Sequence, residues 1–199
     1  MSDHYYSGRP SSESNQKEME TVLRGVRMKF TTDSGVFSKS SIDFGSRLLI
    51  EHLQIMPSHD VLDIGCGYGV IGLTAALMAN EGHVWMVDVN ERALNLAKAN
   101  AQQNQIRNVT IVQSDVFSNV TNLSFDVIVT NPPIRAGKQV IHQIFEESVQ
   151  HLNPGGQLWI VIQKKQGAPS AIKKLEELFV ATDIVTKEKG YYIIRATIK

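Results

Sequence analysis

From residue 60 onward the chain alternates short, almost uninterrupted apolar runs with longer amphipathic ones, and that alternation leaves few folds open. Residues 60–65, 83–89, 108–115, 125–133 and 157–165 read as strands. Between them, residues 69–80, 91–105, 137–152 and 170–179 carry apolar side chains at helical spacing. Strands apolar along their whole length must be covered on both faces, so the pattern specifies a doubly wound, mostly parallel α/β sheet. The last segment, 181–199, reads as two more strands joined at Glu188-Lys189-Gly190. A turn that short permits only antiparallel pairing, so the expected sheet has seven strands and ends in an antiparallel hairpin.

Ahead of this core the signals are weaker. Residues 1–20 are polar, with no apolar core of a secretory signal. Residues 22–38 hold two strand-like runs around Thr32-Asp33-Ser34-Gly35, where a hairpin turn is expected. Ile42 to Met56 has the spacing of an amphipathic helix stopped by Pro57. The expected organisation is therefore an N-terminal extension, residues 1–56, packed on a Rossmann-like core, residues 57–199, as a single structural domain. The 199 residues are 42% hydrophobic and 20% charged with zero formal net charge, which fits a globular protein without a global field for nucleic acid. One cysteine, Cys66, excludes an intrachain disulfide, and no apolar run approaches a membrane span, so a cytoplasmic protein is expected.

The first chemical signal is the segment from Asp63 to Gly72, DIGCGYGVIG, at the turn from the first core strand into the first core helix. Glycines there let the backbone turn tightly and let a ligand approach, with Gly65, Cys66, Gly67 and Gly69 forming the loop. Asp88, with Val89 beside it, follows the second strand 25 residues after Asp63 and can accept ribose hydroxyls. The glycine spacing also matches dinucleotide binders. Charge separates the two: a dinucleotide brings an anionic pyrophosphate, whereas S-adenosylmethionine brings a sulfonium and an ammonium. Asp63 at the lip of the loop would suit those cations. Asp115, ending the third strand, can accept from an adenine amino group, with Val116 or Phe117 packing on the ring. Cys66 reads as a small residue within the turn, not a nucleophile.

The second signal is Asn131-Pro132-Pro133-Ile134 directly after the fourth strand, on the same side of the sheet as the glycine loop. An amine on a planar π-system is a poor nucleophile because its lone pair is delocalised. A side-chain amide oxygen and a backbone carbonyl can each accept one of its N–H bonds and turn the lone pair toward an incoming methyl group. Asn131 and the carbonyl of Pro132 supply that pair, and the two prolines stiffen it.

On these residues the chain resembles class I S-adenosylmethionine-dependent methyltransferases over residues 60–163. With Gly35-Val36-Phe37-Ser38, Asp43, Gly45, Leu48-Leu49, and the stretches Asn131 to Lys138 and Ile162 to Ala168, nearly the whole chain is similar to the small-subunit ribosomal RNA guanine-N2 methyltransferase family in its short single-domain form. The resemblance implies that Asp63, Gly65, Gly67, Asp88 and Asp115 bind the cofactor, that Asn131 is catalytic, and that Phe37 and Ser38 line the pocket. Two features depart from the family. Ile134 stands where an aromatic residue often stacks on the target ring, and the second methyltransferase-like domain of the larger members is lacking.

Charge is distributed unevenly. Residues 135–199 hold 10 basic and 6 acidic residues, a net of +4, against 3 basic and 6 acidic in 61–134, a net of −3. Arg135, Lys138, Lys164 and Lys165, with Arg24, Arg27 and Lys29 in the hairpin, are positioned to contact phosphates. The histidines form no metal-ligand spacing, so no metal is expected. The expected partner is ribosomal RNA or the small ribosomal subunit, bound by a monomer or homodimer. Other readings stay open at this point: an adenine-N6 or protein glutamine methyltransferase, a non-catalytic RNA clamp built on the cofactor pocket, and a nicotinamide-dependent oxidoreductase, which Asp63 disfavours.

Overall fold

A computed structural model describes residues 14–36, 41–132 and 137–199. The core sheet has the order β5-β4-β3-β6-β7-β9-β8. Its strands are β3 (Val61–Ile64), β4 (Val84–Asp88), β5 (Val109–Gln113), β6 (Phe125–Thr130), β7 (Leu152–Gln163), β8 (Ala181–Glu188) and β9 (Tyr191–Thr197). β9 runs antiparallel to both of its neighbours, and the pairings from β5 through to β7 are parallel. The expected seven-stranded sheet and closing hairpin are thus what the chain forms. Near its start, β7 shifts register against β6 around Asn153-Pro154-Gly155-Gly156.

Alternate side chains of each strand point to opposite faces, so the core divides in two. One apolar layer contains Val61, Met86, Val127 and Trp159 and lies under α1 (Phe44–His52), α2 (Val70–Met78) and α3 (Glu91–Gln103). The other contains Leu62, Ile128, Leu158 and Ile194 and lies under α4 (Gly137–His151) and α5 (Ala168–Leu178). None of the helices among the described residues is long and apolar enough to cross a membrane.

The N-terminal segment differs from expectation in two places. The hairpin is β1 (Lys17–Leu23) with β2 (Val26–Thr32), so its turn falls at Arg24-Gly25 and not at Thr32–Gly35. Both turn residues have positive φ, 48° and 80°, the geometry that matches the twist of a two-residue hairpin and favours Asn-Gly. Arg24 is an unusual choice there. Its guanidinium explains it, donating to the carbonyls of Ile50, Glu51 and Leu53 at 3.3, 2.9 and 3.3 Å. These are otherwise the free acceptors at the end of α1. The same contact closes α1 at His52, four residues short of the expected end, before Pro57 acts.

β2 is fastened to the core by two asparagines one turn apart, Asn100 on α3 and Asn104 at its C-cap. Asn100 accepts from the Thr31 N–H at 2.7 Å and donates to the Thr31 carbonyl at 2.9 Å. Asn104 does the same with Lys29, at 2.9 and 2.6 Å. The two side-chain amides take the place of a neighbouring strand along the outer edge of β2. Asn100 is fully buried and also donates to the Tyr68 carbonyl beneath the glycine turn. Asn100→Ala leaves several buried backbone groups without partners. It is expected to cost about 2–4 kcal/mol in chemical denaturation, with Asn104→Ala milder at its half-buried position. Equal, small losses for both would show that these amides do not hold the hairpin.

Candidate active site

The glycine turn is clamped to the end of β4. The N–H groups of Gly65 and Cys66 both donate to the Val87 carbonyl, at 2.8 and 3.0 Å, and Gly67 N–H donates to Asp88 Oδ2 at 2.9 Å. Register sets the rest: Ile64 pairs with Val87 on one side and Thr130 on the other, so Gly65, Asp88 and Asn131 leave three adjacent strands at the same level. This is the crevice at the carboxyl ends of the strands, where doubly wound sheets bind ligands. The crevice opens as a cavity of about 1070 Å³, mouth included.

Of the sequence-predicted residues, Gly65, Cys66, Gly67, Asp88, Val89, Asp115, Val116, Asn131 and Pro132 line this cavity. Gly69 caps α2 with φ +100° and shapes the turn without lining the space. Asp88 accepts from the N–H groups of Gly67 and Asn90, which fixes its carboxylate and leaves each oxygen a further lone pair. Burial raises its pKa despite these bonds. Of the two candidates beside Asp115, Val116 faces the cavity while Phe117 turns into the core and stacks on His151 at 4.5 Å. Val116 holds φ +49°, costly for a β-branched residue. Ser114 secures it, its hydroxyl donating to the Val116 carbonyl at 2.9 Å. Cys66 is buried and its thiol pushed well above the usual range by burial, with the charges of Asp88 and Asp63 adding to it, so it is not a nucleophile.

Asp63 is not at the lip of the loop. Strand alternation turns it with Val61 into the apolar layer, beside Met86 and Val129 and beneath α2. It is fully buried, and neither oxygen completes a hydrogen bond. Gly72 makes the approach of α2 possible, since a Cβ there would stand 2.9 Å from Asp63 Oδ2 and 2.7 Å from Met86 Cγ. Burial pushes the Asp63 carboxyl up to about 7, with the Gly72 N–H opposing and the Asp88 charge adding to the rise. Any cation it favours feels it through the glycine turn and not by contact.

A second, smaller cavity of about 430 Å³ lies on the other side of Asn131 and Pro132, bounded also by Asp43, Ile141, Gln163 and Tyr191. Asp43, Asn131 and Pro132 border both spaces. Asn131 Nδ2 lies 2.9 Å from Ser46 Oγ and 3.3–3.4 Å from the two Asp43 oxygens. Sequence reasoning gave Ser46, Asn90 and Tyr191 no role and Asp43 none beyond the resemblance. The one available signal was the helix cap: Asp43 accepts from the Ser46 N–H at 3.1 Å.

The basic residues divide. Lys138, Lys164 and Lys165 are exposed, the first in the opening turn of α4 and the others just past β7. Arg24 is engaged at the end of α1, and Lys29 pairs with Glu20 at 2.9 Å. Phe37, Ser38, Pro133, Ile134 and Arg135 lie outside the described residues. The histidines pack: His83 bonds Thr110 and meets Trp85, and His151 bonds the Leu123 carbonyl. Among the described residues no group of three or more His, Cys, Asp or Glu could hold a metal.

A doubly wound sheet with this strand order, a glycine turn clasped to the acid at the end of β4, and a buried carboxylate with no cation partner defines a class I S-adenosylmethionine-dependent methyltransferase. The chain belongs to the methyltransferase small domain family, whose description matches residues 27–195. It is 57% identical over 198 residues to the uncharacterized protein YbxB of Bacillus subtilis, covering 98% of each. It is 34% identical over 184 residues to ribosomal RNA small subunit methyltransferase C of Vibrio cholerae, covering 90% of this chain and 52% of that one. Its structure is similar to the 16S rRNA N2 methyltransferase of T. thermophilus solved with AdoMet and guanosine, with a TM-score of 0.84, 27% identity, and coverage of 94% of this chain and 52% of that one. The chain thus spans about half the length of these two RNA methyltransferases.

The Asp63 environment gives a pH prediction. The folded group stays protonated up to about pH 7, whereas an unfolded aspartate ionises near 4. The native state therefore binds more protons in between, and stability falls as pH rises from about 4 to 7, then levels off. Asp63→Asn removes that fall, so the variant should melt higher than the parent at pH 8 and close to it at pH 4. Cofactor affinity of the parent, read by calorimetry, should rise between pH 6 and 8 as the carboxylate ionises, and that of the variant should not. A variant that melts lower at pH 8 would contradict this account.

Proposed function

We propose that the protein transfers the methyl group of S-adenosylmethionine to an exocyclic amino group, guanine N2 of small-subunit ribosomal RNA, in the cytoplasm. The observation that carries the reading is the position of Asn131 and Pro132, which form the wall between the large cavity and the second one, level with the glycine turn. The residues present fit the cofactor. The large cavity accommodates a nucleoside, Asp88 keeps lone pairs for ribose hydroxyls, and the unpartnered Asp63 carboxylate complements a cation. The backbone of Gly65, Cys66 and Gly67 holds the cofactor's amino-acid end, Asp115 accepts from the adenine amine, and Val116 and Val89 pack on its ring. When bound, the cofactor supplies an electrophilic methyl group.

The chain's own residues do the rest by positioning. Asn131 Oδ1 and the Pro132 carbonyl accept the two N–H bonds of the target amine, which turns its lone pair toward the large cavity. An uncharged amide does this without trapping the sulfonium as an ion pair. Pro133 stiffens the turn. The base occupies the second cavity, where the ring of Tyr191 offers the aromatic surface that Ile134 lacks. The family resemblance gives Phe37 and Ser38 the role of lining the pocket. Arg135, Lys138 and Lys164 contact phosphates around it, and residues 1–56 serve as an extension packed on the core within one domain. The similarity to a 16S rRNA N2 methyltransferase supports guanine as the base.

The test is transfer of labelled methyl groups to purified ribosomal subunits lacking the modification, followed by nucleoside analysis. N2-methylguanosine in small-subunit RNA is the expected product. Label in N6-methyladenosine or in protein would move the acceptor, and no label despite tight cofactor binding would remove ribosomal RNA as substrate. Asn131→Ala should lower turnover by roughly 100-fold or more, with cofactor affinity within about twofold of the parent.

A further inference from the structure

The amide of Asn131 has two ends, and only one of them serves an amine. Its Nδ2 faces α1, within reach of Ser46 Oγ at 2.9 Å and of both Asp43 oxygens at 3.3–3.4 Å. A carboxylate has no hydrogen to donate, so the NH2 end of the amide is the end that can face Asp43. The oxygen is thereby turned away from α1. We propose that Asp43, assisted by Ser46, is the positioning residue that fixes the sense of the Asn131 amide, so that its oxygen and not its NH2 meets the substrate amine. This inference rests on the role given to Asn131 above.

Asp43 is itself immobilised. It is the N-cap of α1, and both its oxygens accept from the Ser46 N–H, at 3.1 and 3.3 Å. The first turn of α1 is pressed on β9 through Gly45, where a Cβ would stand 2.8 Å from the Tyr191 ring. Helix cap, ring and amide therefore share one rigid corner between the two cavities. The negative charge at the NH2 end also polarises the amide and makes Oδ1 the stronger acceptor.

The cap provides a variant that separates positioning from folding. Asn caps helices as well as Asp does, so Asp43→Asn preserves α1. The Oδ1 of the new Asn stays with the Ser46 N–H, and its NH2 points toward Asn131. Two NH2 groups cannot pair, so the Asn131 amide turns over and presents a donor to the target amine. Turnover on small subunits should fall by roughly 100-fold, with the KM for RNA, cofactor affinity and melting temperature near those of the parent. Asp43→Ser, a cap with nothing to oppose the amide, should fall in between. Without any acceptor, the side-chain NH2 resonances of Asn131 in a nitrogen-15 spectrum should move in both variants, furthest in Asp43→Asn, where the amide turns over.

The outcomes are distinct. Parental turnover and unmoved Asn131 resonances in Asp43→Asn, with Asn131→Ala inactive, would overturn the positioning role and leave Asn131 standing. Parental turnover in both variants would remove the role of Asn131 itself. Early melting or lost cofactor affinity in Asp43→Asn would make Asp43 a structural residue and overturn the inference.

Discussion

The site depends on the clasp between the glycine turn and the end of β4. Three N–H groups, of Gly65, Cys66 and Gly67, are taken up by the Val87 carbonyl and the Asp88 carboxylate. Without those acceptors the turn would lose three hydrogen bonds, each worth about 0.5–1.5 kcal/mol. With them, the turn is held open toward the cavity and Asp88 is oriented by the same bonds. The clasp also explains why glycine is needed where it is. Gly65 and Gly67 have φ of 72° and 55°, a region in which a side chain costs about 1–2 kcal/mol. Cavity wall and backbone turn are thus one feature. The parallel register of β3, β4 and β6 then brings Asn131 to the same level.

Asp63 illustrates how such a site works against its own stability. Strand parity sends its carboxylate into an apolar layer with no partner, beneath the first turn of α2. There the helix dipole offers partial compensation. A neutral side chain would pack there at lower cost. What the acid provides is a negative potential behind a turn made of glycines, where little intervening side chain screens it from the cavity. The Asp88 charge adds to the rise at Asp63, and burial raises Asp88 as well: two acids, both driven toward their neutral forms, form a place where a cation relieves the strain. This accords with a sulfonium-bearing cofactor and opposes a pyrophosphate more firmly than the glycine spacing alone could.

Much of this was legible in the sequence because parallel strands are written in uninterrupted apolar runs. The sheet, the glycine turn, Asp88, Asp115 and Asn131 all follow from that reading. What was not legible had physical causes. The hairpin turn was misplaced because Arg24 adopts a conformation normally left to Asn or Gly, and its guanidinium is held by carbonyls 26 to 29 positions away. Asp63 was misjudged at the lip although parity with Val61 would have placed it inside. The partners of Asn131 lie 85 and 88 positions away, on α1. No local pattern announces them, since Asp43 reads equally well as a plain helix cap.

That remote pairing gives the N-terminal segment a place beside the proposed site. α1 precedes the sheet in sequence, yet its first turn supplies the groups that face the Asn131 amide. Its last turn is closed by the hairpin through Arg24, and the hairpin is fastened in turn to α3 through Asn100 and Asn104. The Asn100 amide reaches the carbonyl of Tyr68 within the glycine turn. A closed circuit of hydrogen bonds therefore runs from the cofactor turn through α3, the hairpin and α1 to the amide at the cavity wall. An amide oxygen placed within a few tenths of an ångström is worth more to a transfer reaction than one merely nearby. A circuit that ties the two halves of the site together from outside the sheet holds such a placement better than the strand end could alone.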